Sequence, residues 1–111
     1  MATEREQLVE VLRARYKRNG WTVTEAADGA LHATGLGGVT WIGQVLTADD
    51  LRDQAIEERI LEMAWRRMPA GGELCPLDLL PDPSCEAEVH ELLDRIGLGD
   101  RPHVTVYARA A

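Results

Sequence analysis

The stretch Val39-Thr40-Trp41-Ile42-Gly43-Gln44-Val45-Leu46 decides the fold. Strand alternation puts Val39, Trp41 and Val45 on one side and Ile42 and Leu46 on the other. A strand wetted on one face would alternate apolar with polar residues. This one is apolar on both, which predicts a central strand covered from both sides.

Two shorter β-rich runs lie upstream, Trp21 to Ala26 and Ala30 to Thr34. Asp28-Gly29 between them is the favoured dipeptide of a two-residue type I′ hairpin. Gly35-Leu36-Gly37-Gly38 reads as a loop into the third strand. It joins two strands and opens no helix, so it lacks the geometry of a phosphate-cradling loop. Ahead of this meander, residues 4–18 carry a helical stripe of Leu8, Val11, Leu12 and Tyr16. Thr3 and Glu6 have capping-box spacing, and Asn19-Gly20 supplies the stop. Arg13, Arg15, Lys17 and Arg18 crowd the end where the helix dipole favours cations.

Downstream, Thr47 caps a second helix predicted to run to about Met68, with Asp49 and Asp50 in its first turn. Ile56, Ile60, Leu61, Met63, Ala64, Trp65 and Met68 spread over about half its circumference. Arg52, Glu58, Arg59, Glu62 and Arg66 hold the rest. So wide an arc predicts a helix lying between two layers or at a subunit interface. Glu73 to Leu80 reads as another strand, and Pro76 within it argues for an edge or a bulge. Asp82-Pro83 opens a third helix with Cys85, Val89, Leu92, Leu93 and Ile96 on its apolar stripe and Gly97 at its end. His103 to Arg109 is the last strand. The order α-βββ-α-β-α-β predicts a single-domain α/β or α+β fold with helices packed on one mixed sheet.

At 111 residues, 45% apolar and 28% charged, the chain can bury a core without a metal or disulfide staple. With 5% aromatics and no Phe, that core has to be aliphatic. No apolar run approaches the ~20 residues of a membrane span. Met1 to Gln7 does not resemble the start of a secretory signal, so a cytoplasmic location is expected. Cys75 and Cys85 fit that reducing compartment. Eleven arginines against Lys17 alone point to a GC-rich, bacterial genome.

Twelve basic against nineteen acidic residues give a net charge of −7. Residues 1–20 hold five basic and three acidic groups, whereas residues 69–111 hold three and eight. An acidic chain does not draw phosphate backbones, which argues against a nucleic-acid partner. It is complementary to a basic protein surface.

The helix-then-meander order α-βββ-α-β, with Asn19-Gly20-Trp21-Thr22-Val23 opening the first strand, resembles the core of restriction-endonuclease-like nucleases. That resemblance implies an acid on the second strand and a Glu-x-Lys on the third, holding Mg²⁺ and steadying the attacking water. Here the second strand offers Leu31-His32-Ala33 and the third Thr40 to Gln44, with no carboxylate and no lysine. The resemblance extends to an inactive relative at most.

No nucleophile has a supporting context. Ser84 is the only serine and sits where a helix is capped, and neither cysteine lies in a nucleophile motif. The soft metal ligands are His32, Cys75, Cys85, His90 and His103. The two cysteines are ten apart, not at zinc-site spacing, and read as small buried hydrophobes. No catalytic residue, metal or cofactor is therefore expected.

The expected function is a non-catalytic protein-interaction or regulatory module, an adaptor or an inhibitor of a basic partner. The alternative is a small enzyme or ligand binder whose pocket is lined by His32, Trp41, His103, Thr105, Tyr107 and Arg109. The last four fall on one face of the final strand, opposite Val104 and Val106. Such a polar row beneath a helix layer is costly unless it lines a cavity or meets water. Glu86, His90 and Asp94, at i, i+4 and i+8, form a second candidate, since two carboxylates favour a charged imidazole between them. The same spacing suits a solvated helix flank. Ile60, Leu61, Trp65 and Met68 are the candidate interface of a homodimer formed through the second helix.

Overall fold

The structure, a computed structural model, describes residues 3–26, 29–69 and 72–108. Helix α1 (Glu4–Arg18) leads into strands β1 (Thr22–Glu25), β2 (Leu31–Thr34) and β3 (Thr40–Leu46). Helices α2 (Ala48–Arg52) and α3 (Ile56–Ala64), strand β4 (Leu77–Pro81), helix α4 (Glu86–Arg95) and strand β5 (Val104–Val106) follow. The sheet order is β1-β2-β3-β4-β5, with β3 in the middle as its two apolar faces require. The meander β1-β2-β3 is antiparallel, while β3, β4 and β5 are parallel. Parallel neighbours need crossover connections, and α2–α3 and α4 supply them. This is the expected helix-and-mixed-sheet fold, in three layers.

The two faces of β3 have different covers. Leu8, Leu12 and Tyr16 of α1 pack with Leu31, Ala33, Val45 and Leu80 on one side. Ile56, Ile60 and Met63 of α3 and Val89, Leu92 and Leu93 of α4 pack with Ile42, Leu46, Leu77 and Leu79 on the other. Gly43 is the contact point of the first layer. A Cβ there would lie 2.6 Å from the Tyr16 hydroxyl and 2.7 Å from Leu12 Cδ2, so α1 sits on bare strand backbone.

Thr3 and Thr47 cap their helices as expected, Thr47 in a full capping box with Asp50. Asp50 is buried and also pairs with Arg5, tying α2 to the start of α1. Gly97, at φ 81°, follows α4.

Three details differ from expectation. The helix expected from Thr47 to Met68 is broken. The Asp53 carboxylate accepts from the Ala55 N–H at 2.9 Å, a local turn that competes with helix and separates α2 from α3. At its far end the chain leaves the helix at Trp65 and pairs Arg67 with Leu74. Strand β4 lies between β3 and β5, not at an edge. Pro76 precedes it and only accepts, from the Ile42 N–H at 2.9 Å, so its missing donor is no obstacle. At the β1–β2 connection the Ala26 N–H bonds the Ala30 carbonyl and the Gly29 N–H bonds back to the Ala26 carbonyl. Gly29 takes the left-handed conformation at φ 87°, which glycine adopts without strain; Asp28, and with it the expected two-residue turn, lies outside the described residues. Val39 precedes β3 and is exposed. No helix among the described residues is long and apolar enough to cross a membrane.

Candidate functional site

The pocket expected around the last strand divides between the two faces of the sheet. Trp41 and Tyr107 line one cavity, under the end of α1. His32, opposite Ile42 in register, faces α3, and its Nε2 lies 3.4 Å from an Arg66 guanidinium nitrogen. His103 stands just before β5 and escapes the strand's alternation. Its Nε2 is 2.7 Å from the Ala64 carbonyl at the end of α3, and its ring is 6.0 Å from that of Trp65. Thr105 is exposed, and Arg109 lies outside the described residues.

What gathers beside Trp41 and Tyr107 is a set that includes residues not singled out from sequence. A cavity of about 360 Å³ is lined by Arg15, Tyr16, Asn19, Trp21, Trp41, Asp78 and Tyr107. The Trp21 and Trp41 rings are 5.5 Å apart and tilted by 52°. The Arg15 guanidinium lies over the Tyr107 ring at 3.9 Å from its centroid. At the base, Asp78 is 2% exposed and accepts from the Tyr16 hydroxyl at 2.7 Å. Burial pushes the Asp78 carboxyl above the usual carboxylate range, opposed by hydrogen bonding from Tyr16, the Arg15 charge and hydrogen bonding from Tyr107. Burial, and then the Asp78 charge, push both tyrosine hydroxyls up. The sequence did carry a signal for Asp78. It is a lone acid in the apolar run Leu77 to Pro81, and a buried carboxylate must find donors.

On the opposite side of the sheet a cleft of about 440 Å³ runs between the α2–α3 junction and α4. Leu51, Ile56 and Leu92 contribute its apolar lining, Asp53, Glu57, Glu88 and Glu91 its carboxylates, and Arg52 a guanidinium paired outward with Asp49 at 3.1 Å. Arg95 closes one wall with 2.8 and 3.0 Å bonds to Glu57, leaving Glu88 and Glu91 exposed. The surrounding layer is acidic. Helix α3 carries three acidic residues and one basic, and α4 four and one, whereas α1 carries three acidic and five basic.

Glu86, His90 and Asp94 lie along α4, with His90 and Asp94 exposed and no hydrogen bond or ion pair joining the three among the described residues. Asp94 instead covers Gly99, where a Cβ would come within 2.0 Å of its carboxylate. Of the four residues expected at an interface, Ile60 is 0% exposed and belongs to the chain's own core. Leu61 and Met68 are partly buried against that core, because α4 and the sheet cover much of the wide arc. Trp65 remains 45% exposed, with the Arg101 guanidinium 5.2 Å from its ring. Cys75 and Cys85 are free and buried, and burial pushes both thiols up. Among the described residues no three His, Cys, Asp or Glu side chains are placed to hold a metal ion.

No protein-family model matches the chain, nor does a curated protein or a solved structure match it significantly.

Proposed function

We propose that the chain is a non-catalytic interaction module that docks a basic segment of a protein partner on its α3/α4 layer. The observation that carries this is the cleft beside α4. Its apolar lining suits the methylene stem of an arginine or lysine, and the exposed Glu88 and Glu91 suit the charged head, Asp53 being paired with Arg59. The separation of charge between α1 and the α3/α4 layer would also orient an approaching basic surface. Such a module is a natural adaptor or inhibitor, because covering a basic site requires no chemistry of its own.

The test is partner retention by charge variants that leave the core alone. Glu88→Lys with Glu91→Lys should weaken retention about tenfold or more, and raised salt should weaken the native chain's retention too. Arg15→Glu, on the opposite layer, should retain the partner like the native chain. If reversal on α4 has no effect while reversal on α1 abolishes retention, the docking face is the wrong one.

A further inference from the structure

The cavity beneath the end of α1 lies across the sheet from the proposed docking cleft and plays no part in it. It shares a wall with a second cavity of about 240 Å³, lined by Val11, Leu12, Arg15, Arg18, Leu80, Tyr107 and Ala108. Arg15 and Tyr107 line both, so the stacked guanidinium and phenol ring form the partition between them. Trp21, Trp41 and Tyr107 are each only partly buried and present ring surface to the larger cavity. Aromatic walls that remain open favour a flat ring as occupant.

Charge at the mouth selects among flat rings. Of the cations on the last turn of α1, Arg15 lines the larger cavity and Arg18 the smaller one; neither has a salt bridge among the described residues, although the Arg15 charge also favours ionised Asp78. Among the described residues Asp78 is the only carboxylate lining the cavity, and it is at the base and engaged by Tyr16. The cation position over Tyr107 is already filled by Arg15. Asn19 adds a neutral amide at the rim, bonded to the Arg15 carbonyl at 3.0 Å. An occupant bearing a positive charge would meet Arg15; one bearing a negative charge would pair with it.

We infer that this cavity is a binding site for a small aromatic acid, its ring seated against Trp21, Trp41 and Tyr107 and its anionic group on the Arg15 guanidinium. A carboxylate and a phosphate monoester share the required chemistry.

The indole N–H signals of the three tryptophans provide the assay, since Trp21 and Trp41 line the cavity and Trp65 is on the other side of the sheet. Titrating the full chain with indole-3-acetate or phenyl phosphate should shift the first two saturably, with a Kd of about 1 mM or tighter, and leave Trp65 in place. Indole, which has no anionic group, should bind about tenfold or more weakly. Arg15→Gln, at an exposed position, should reduce the acids to the level of indole. A response to only one of the two acids would support the site and identify its anion. The inference is overturned if neither acid gives a saturable shift, if indole binds as tightly as the acids, or if Arg15→Gln leaves acid binding unchanged.

Discussion

Replacing Tyr16 by Phe removes one hydroxyl from the first helical layer and nothing else. That hydroxyl donates at 2.7 Å to a carboxylate that is 2% exposed, so water does not readily take its place. A hydrogen bond to a charged group contributes about 1.5–3 kcal/mol, and one between neutral groups about 0.5–1.5. The loss should therefore depend on whether Asp78 is ionised. Burial raises the folded-state pKa of Asp78, and such a group favours folding fully below its unfolded pKa. That contribution is lost as pH rises through the folded value. Tyr16 opposes the rise by bonding the ionised form, so Tyr16→Phe should lift the Asp78 pKa further. The destabilisation should accordingly be about 2 kcal/mol where Asp78 is ionised and shrink once it is protonated. For a chain of this size, 2 kcal/mol lowers Tm by about 8 °C or more. Urea unfolding of both proteins across the acid range reads the difference directly. A loss that stays constant with pH, or is below about 0.5 kcal/mol throughout, would refute the reasoning.

Gly43→Ala should destabilise by about 1–3 kcal/mol, because its new methyl meets the Tyr16 hydroxyl and Leu12; combined with Tyr16→Phe the losses should not add, since both disturb one contact. Gln44→Met should raise Tm, because among the described residues the buried Gln44 Oε1 has no hydrogen-bond partner and an orphaned acceptor costs about 1–3 kcal/mol; a lower Tm would mean that its Nε2 bond to the Val45 carbonyl matters more. The thiols of Cys75 and Cys85, both 1% exposed and raised by burial, should resist a thiol reagent until the chain is unfolded in denaturant.

Much of this fold was legible because local and tertiary signals agree. Apolar residues on both faces of the third strand required two covers, and both are present. The caps at Thr3 and Thr47 mark helix starts whatever packs above them. Where the reading failed, a single side chain or a neighbour overrode the pattern. Asp53 folds back on the Ala55 N–H and splits a helix whose periodicity runs on unbroken. Pro76 suggests an edge or a bulge, yet the residue precedes an interior strand and needs no donor where it stands. His103 fits the period of Thr105 and Tyr107 but precedes the strand, and so turns toward α3. The aromatic cavity was half legible. Trp41 and Tyr107 stand out in the sequence, whereas Tyr16 reads as part of an apolar stripe and Asp78 as part of a strand at an edge or with a bulge. Their pairing spans 62 residues and becomes visible only when α1 is placed on Gly43. The acidic cleft was visible as a charge bias along the chain, but its shape depends on the break at Asp53.

The proposed docking face is tested most directly by mapping backbone amide shifts while the isotopically labelled chain is titrated with a short arginine-bearing peptide. Saturable changes should concentrate on residues 51–57 and 88–95, weaken with salt, and disappear in Glu88→Lys with Glu91→Lys. Changes centred on α1, or spread evenly over every exposed carboxylate and indifferent to that double substitution, would contradict it.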